Sequence, residues 1–530
     1  MKKLALAAAL SGLSFIQACS AAPNKTITVN IDASKPGAMI HKEVYGQFME
    51  HLGRGVYEGV WVGEDSPIPN TRGIRNDVVA ALKHIQVPVV RWPGGCFADE
   101  YHWRNGIGET RQPSLNVSWG QIEPNTFGTH EFMDFIEQIG AKPFVSVNVG
   151  SGTVQEAREW VQYMTTDADS PIGSERAKNG RTEPWQLDYV GIGNENWGCG
   201  GNMYAEEYAN QYRKYQGYVR SSAPRGNRPQ LIATGADTDD YEWTETVMKK
   251  AMMWRPGKTS PLLYNTDRPL MDGLSLHFYT LPTNDWGKKG QATGFNEDLW
   301  ISTMQRALLI DELIRKHGAI MDKYDPQQKV AMVVDEWGTW YDYAPDSPGG
   351  LWQQNTLRDA MVAAVTLNIF HQHAKRVRMA NIAQMINVLQ AMILTDQDKI
   401  LLTPTYHVFD MYKVHQDAKA LPLTISANQY QHNGVSVPNV SATASVDKNG
   451  QVHISLANLN PDEAVQLSLN LTGFEQKSIK GQLLTADKMD DFNSFDNPTK
   501  VKLQSFNQAS WQNGKIIIEL PAKSIVSLAL

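Results

Sequence analysis

Tyr189-Val190-Gly191-Ile192-Gly193-Asn194-Glu195-Asn196-Trp197 is a short apolar run that stops at a glycine and delivers an asparagine and a glutamate. Such a run, bounded by turn residues, reads as a strand buried on both faces with its polar groups at the C-terminal end. The pattern recurs along the chain. Residues 87–91 end in Trp92-Pro93-Gly94-Gly95, and residues 144–149 end in Gly150-Ser151-Gly152. Residues 231–234 run into Gly235, 274–276 into His277-Phe278-Tyr279, and 330–334 into Asp335-Glu336-Trp337. With 45–49 before them and 382–388 after, eight strands are expected. Stretches with helical spacing, such as 154–164, 204–219 and 299–317, lie between them. Apolar strands alternating with helices make a parallel sheet covered on both faces, and eight units favour closure into a (β/α)8 barrel. A doubly wound open sheet is the alternative, but no Gly-x-Gly-x-x-Gly turn follows any strand.

Beyond residue 412 the texture changes. Residues 441–446, 451–456, 465–471, 501–503 and 516–520 are short alternating strands, and Lys448-Asn449-Gly450 is a hairpin turn. Strands without intervening helices describe an antiparallel β-sandwich. Residues 26–31 also alternate, precede the barrel and need a partner, so they are expected to join the sandwich. The expected division is a leader over 1–22, that strand within 23–40, the barrel over 41–411 and the sandwich over 412–530. No Pro-, Gly- or Ser-rich linker separates the parts.

The leader reads as a secretion signal. Lys2 and Lys3 precede an apolar stretch over 4–16 that is too short to span a bilayer. Ile16-Gln17-Ala18-Cys19 resembles a bacterial lipobox in which Cys19 is lipidated; ordinary cleavage among the small residues 18–22 is the alternative. Both predict export, as a periplasmic protein or a membrane-anchored lipoprotein of a bacterium. The net charge of −7 and the lack of a long basic run argue against a nucleic-acid partner. Two cysteines beyond Cys19, namely Cys96 and Cys199, make no disulfide framework, although export permits a bridge. No Cys-x-x-Cys or His-Glu-x-x-His occurs, so neither metal nor cofactor is expected; His371 and His373 sit in an apolar helical run and read as a structural or solvent-facing pair.

In a barrel the strand C-termini converge on one face, where active sites are built. Here those ends carry Glu50, His51, Arg91, Asn148, Asn194, Glu195, Asp237, His277, Tyr279, Glu336 and Gln390. Glu195 and Glu336, on the fourth and seventh strands, are far apart in the chain but would face each other across the mouth. Any one glutamate after a strand is more often a salt-bridge or cap partner. A facing pair suits hydrolysis of a glycosidic bond, one carboxyl donating a proton and the other attacking. Proximity itself separates their acidities, and Arg91 would keep the nucleophile ionised. Trp92, Trp103, Trp197, Trp337 and Trp340 lie near strand ends, as core or as stacking surfaces for sugar.

The Gly193–Trp197 motif, with Asp335-Glu336-Trp337-Gly338, resembles retaining (β/α)8 glycosidases whose acid/base and nucleophile lie on strands four and seven. Phe48-Met49-Glu50-His51-Leu52-Gly53-Arg54, Val56-Tyr57-Glu58-Gly59, Arg91-Trp92-Pro93-Gly94-Gly95-Cys96-Phe97 and His277-Phe278-Tyr279 narrow the resemblance to glycoside hydrolase family 51. The resemblance spans 26–530 and implies a retaining, exo-acting α-L-arabinofuranosidase that releases arabinofuranose from arabinan, arabinoxylan or their oligosaccharides. It implies Glu195 as acid/base and Glu336 as nucleophile, with Asn194 hydrogen-bonded to the sugar 2-OH. Glu50 and Cys96 would contact sugar hydroxyls, Tyr279 would orient Glu336, and His277 would line the site. Gln390 would close the site from the last strand, and Trp340 would bound the entrance. In this reading Cys96 is a substrate contact, which a bridge to Cys199 would compromise. The insert 166–184 is expected to be a loop near strand four. Relatives are often oligomeric. Competing functions are an endo-β-glucanase or xylan hydrolase on the same scaffold, and a carbohydrate-binding lipoprotein that has lost catalysis.

Overall fold

Eight parallel strands close into a barrel in the computed structural model, which describes residues 26–252, 269–344, 347–427 and 429–530. In chain order the barrel strands are Gly46–Phe48, Val89–Trp92, Lys142–Val147, Tyr189–Ile192, Gln230–Asp237, Gly273–Thr280, Ala331–Thr339 and Val377–Ile382. We number them one to eight. Each pairs with its neighbour in sequence, and strand eight pairs with strand one to complete the ring. Seven strands fall where the apolar runs predict them. The eighth does not: residues 383–388 belong to the loop beyond it, and the strand lies upstream at Val377–Ile382. An apolar run buried in a loop is indistinguishable by periodicity from one buried in a strand.

Inside the ring, Val89, Phe144, Tyr189, Ile232, Ala331, Val333 and Met379 form one cluster with contributions from six strands. A packed layer of this kind fills the barrel, so a ligand reaches only the mouth. The helices expected near 154–164, 204–219 and 299–317 are present as Val154–Thr165, Ala205–Ser222 and Glu297–Tyr324. The insert over 166–184 is not all loop: Pro171–Lys178 is helical, with Ser170 accepting from the Gly173 amide as a cap.

The sandwich packs a five-stranded sheet on a six-stranded one. Strand Ile27–Asp32 joins the five-stranded sheet as expected, running parallel to Val465–Thr472 and antiparallel to Leu423–Ile425. Alternation serves it here, because Ile27, Val29 and Ile31 face the sandwich core. Residues 501–503, expected as a strand, are irregular, and the six-stranded sheet includes the paired strands Lys480–Leu484 and Ser524–Ala529.

Barrel and sandwich meet along helix Leu357–Gln372, every residue of which is buried from Leu357 to His371. Asn368 donates to Ser441, and His371 lies 2.8 Å from the Tyr45 hydroxyl and 3.2 Å from Thr443. His371 is therefore structural, as its apolar context implies. The proposed leader and Cys19 lie outside the described residues.

Candidate active site

Strands six and seven bring the first two functional groups together through backbone register. His277 pairs directly with Glu336 across the ladder, just past an irregularity at Ser275, so both side chains reach the mouth from adjacent strands. Glu195 arrives from the loop after strand four. Oxygens of Glu195 and Glu336 and a ring nitrogen of His277 lie within 4.8 Å of one another. Retaining hydrolases hold their two carboxyl groups about 5 to 5.5 Å apart, whereas inverting enzymes leave about 6.5 to 9.5 Å for a water. An oxygen–oxygen approach within 4.8 Å is compatible with the shorter kind.

Glu336 sits under converging donors. Tyr279 donates its hydroxyl to Oε1 at 2.6 Å, and Arg91 donates to Oε2 at 3.1 Å. Arg91 is fully buried, lies over the Phe48 ring at 4.4 Å, and also donates to the Asn194 side-chain oxygen. Among the described residues, the buried Asn194 amide nitrogen has no hydrogen-bond partner.

Glu195 has the opposite surroundings. Burial, and then the charge of Glu336, raise its carboxyl above the usual range against the pull of His277. Both causes favour the protonated form of Glu195. His277 lies 2.8 Å from Glu195, 3.5 Å from Glu336 and 3.3 Å from Asp335. Burial disfavours its charge, but Glu336, Asp335 and Glu195 outweigh that and push it up to about 10.

Glu50 anchors the far wall. Its carboxyl accepts from the Phe97 amide, the Trp119 indole and the Gln384 amide, each at 3.1 Å, while burial and Glu336 push it up to about 7. The cavity above these groups measures about 310 Å³, at the small end of ligand sites. Trp119, Trp197, Trp286 and Trp340 line it with Asp237, Leu351 and Leu389. Trp340 meets Tyr279 and Trp286 edge to face at 5.0 and 5.3 Å, and Trp286 is half exposed.

Most of the expected residues thus gather at one mouth: Glu50, Arg91, Asn194, Glu195, His277, Tyr279, Glu336 and Trp340. Two expectations are corrected. Cys96 lines the cavity but is disulfide-bonded to Cys199, so no thiol is offered to a sugar. The bridge ties the loop after strand two to the loop after strand four, which proximity at the mouth allows and sequence separation conceals. Gln390 is fully buried and spent on structure: it accepts from the Thr339 amide and donates to Asp359 and Thr405. Gln384 takes the place facing the cavity. His51 and Asn148 also turn away, His51 to Glu123 and Trp92, Asn148 to the turn amides of Ser151 and Gly152.

Trp92, Trp103 and Trp337 are core. The two tryptophans that sequence reading missed are Trp119, in the hairpin Ser114–Asn116/Gln121–Glu123, and Trp286. Trp286 carried a signal, since a large ring among Thr283-Asn284-Asp285 and Gly287 has no core to enter. Among the described residues, the two sets of ligand-type side chains close enough for a metal are Glu195, His277 and Glu336, and Cys96, Glu195 and Cys199. The first set is paired internally, and the second is consumed by the disulfide.

Comparison with known proteins agrees with this geometry. The Alpha-L-arabinofuranosidase 1 domain matches residues 81–272, and the Alpha-L-arabinofuranosidase C-terminal domain matches residues 335–524. An intracellular exo-α-L-arabinofuranosidase of Bacteroides ovatus is 51% identical over 96% of both chains. The crystal structure of the GH51 arabinofuranosidase from Xanthomonas axonopodis pv. citri is 50% identical, with a TM-score of 0.91 over 95% of this chain and 99% of that one. An α-L-arabinofuranosidase from Thermotoga maritima, solved as an arabinose complex, is 28% identical with a TM-score of 0.81 over 95% and 100% of the two chains. The Bacteroides protein corrects one expectation: it is named as intracellular, against the export, periplasmic location and lipid anchor read from the first residues. Identity and coverage of this order over the whole barrel and sandwich make the chain a member of the glycoside hydrolase family 51 α-L-arabinofuranosidases.

Proposed function

We propose that the protein is a retaining, exo-acting α-L-arabinofuranosidase that removes terminal arabinofuranose from arabinan, arabinoxylan or derived oligosaccharides. The observation that carries the reading is the approach of the Glu195 and Glu336 oxygens within 4.8 Å, one under cationic and hydroxyl donors and the other half-buried with its acidity weakened. Glu336 attacks the anomeric carbon while Glu195 gives its proton to the departing oxygen. The glycosyl-enzyme forms, Glu195 then takes a proton from water, and that water releases arabinose with its configuration retained. Asn194 meets the sugar 2-OH, a contact that strengthens as the oxocarbenium ion develops. Glu50 binds a further hydroxyl, and Trp340 bounds the entrance. The barrel, over 41–411, carries the chemistry; the sandwich, over 412–530 with 23–40, buttresses it.

The reading is tested with an aryl α-L-arabinofuranoside, arabinan and arabinoxylan, following released sugar and its anomeric form by NMR. L-arabinose with retained configuration is expected. Hydrolysis of xylosides or β-glucans with arabinofuranosides untouched would point to the endo-acting alternative, which a cavity of about 310 Å³ disfavours. Glu336→Ala is expected to abolish turnover of every substrate.

A further inference from the structure

We propose that Asp99 is a positioning residue for the general acid, acting through the single turn Cys96–Asp99 to lock the loop that carries Glu195. The inference rests on the acid/base reading of Glu195 and adds to it the element that sets the acid's position.

Asp99 is 4% exposed, is absent from the cavity wall, and spends both oxygens on backbone and side chain around the acid. Oδ2 accepts from the Asn194 amide at 2.7 Å and from the Asn196 side chain at 3.1 Å, the two residues that flank Glu195. Oδ1 accepts from the Val149 amide at 2.6 Å and the Gly150 amide at 3.0 Å, and the Asp99 carbonyl accepts from Ser151. One side chain thus staples the ends of strands three and four together. The opposite end of the same turn holds the loop covalently, through Cys96–Cys199.

Between these anchors Glu195 adopts φ of 41°, a left-handed conformation that a side chain other than glycine holds only when its surroundings enforce it. The packing is close enough to do so. A Cβ on Gly200 would lie 2.3 Å from the Asp99 Oδ2 and 1.9 Å from the Asn194 carbonyl, so glycine is required there. Burial pushes the Asp99 carboxyl up to about 7 against four donors. A side chain present for packing alone would not need an ionisable group in this position.

The test separates positioning of the acid from general damage. Glycosylation rates are measured as kcat/KM on aryl α-L-arabinofuranosides with a good leaving group (dinitrophenol) and a poor one (phenol), for Asp99→Asn, Asn196→Ala and Glu195→Ala. An asparagine at 99 keeps one acceptor and turns an amide toward an N–H. D99N is expected to lose about 100-fold on the phenyl substrate, within the usual span of general acid catalysis, and no more than about threefold on the dinitrophenyl one. N196A, which removes one of the four bonds together with the Asn196 bonds to Gly200 and Thr234, is expected to show the same selectivity at about tenfold, and it decides the matter if D99N does not fold. Equal losses on both substrates, or none on either, would overturn the clamp. Should Glu195→Ala itself lose equally on both, the acid/base reading falls and the clamp falls with it. Selectivity in E195A without selectivity in D99N or N196A removes the clamp alone.

Discussion

The Nδ1 of His277 lies 2.8 Å from the Oε1 of Glu195. An acid meant to hold its proton is therefore touched by a ring that favours losing it, and burial together with Glu336 prevails. Removing the ring should show this. In His277→Ala the opposing pull disappears, so Glu195 keeps its proton to higher pH and the basic limb of the kcat/KM profile moves upward. Hydrolysis of a phenyl arabinofuranoside across pH 5 to 9 checks it; a basic limb that stays or moves down contradicts the assignment.

Tyr279 contributes one hydrogen bond to the nucleophile and little packing that phenylalanine would not replace. A buried hydrogen bond to a charged group is worth about 1.5 to 3 kcal/mol. Tyr279→Phe should therefore lower kcat about 10- to 100-fold, with Tm within a few degrees of the parent. Calorimetry beside steady-state kinetics separates this from a folding defect.

The cysteine pairing is countable. Denatured without reductant, the full chain should offer one reactive thiol, from Cys19, and with reductant three. Closing a loop of this span stabilises by about 4 to 5 kcal/mol on chain-entropy grounds, so Cys199→Ser should lower the unfolding midpoint measurably. Three free thiols in freshly purified protein would contradict the bridge. That outcome has interest because a relative half identical to this chain is named as intracellular.

Acid should loosen the junction between barrel and sandwich. His371, His415 and His453 sit there with ring centroids 5.0 and 6.2 Å apart, and burial lowers all three, His371 to about 3. The unfolded chain takes up protons below about 6.5 and the folded chain does not, so stability is present above that pH and is lost as pH falls. For His371 alone the loss from pH 7 to pH 5 is about 2 kcal/mol. Chemical denaturation at the two pH values measures it, and His371→Asn should flatten the dependence.

Several features were legible from local chemistry. Apolar runs ending in glycine and a polar residue announced seven of the barrel strands, because a strand buried on both faces must be apolar throughout. Glu195 and Glu336 stood out because acids at such ends have no core to serve. Other features had no local signature. Residues 382–388 mimic a strand because buried loops are as apolar as buried strands, and Gln390 resembles a ligand contact until Thr339, Asp359 and Thr405 are seen to use it.

By itself the amino-acid sequence determined a barrel with a sandwich and named the two carboxyls, since burial patterns and the residues at strand ends are written locally. Tertiary structure alone decided that Cys96 is bridged, that Gln384 rather than Gln390 faces the cavity, and that Trp119 and Trp286 complete its wall. The reason is physical. Those contacts join segments distant in the chain, and only closure of the ring brings them within bonding distance.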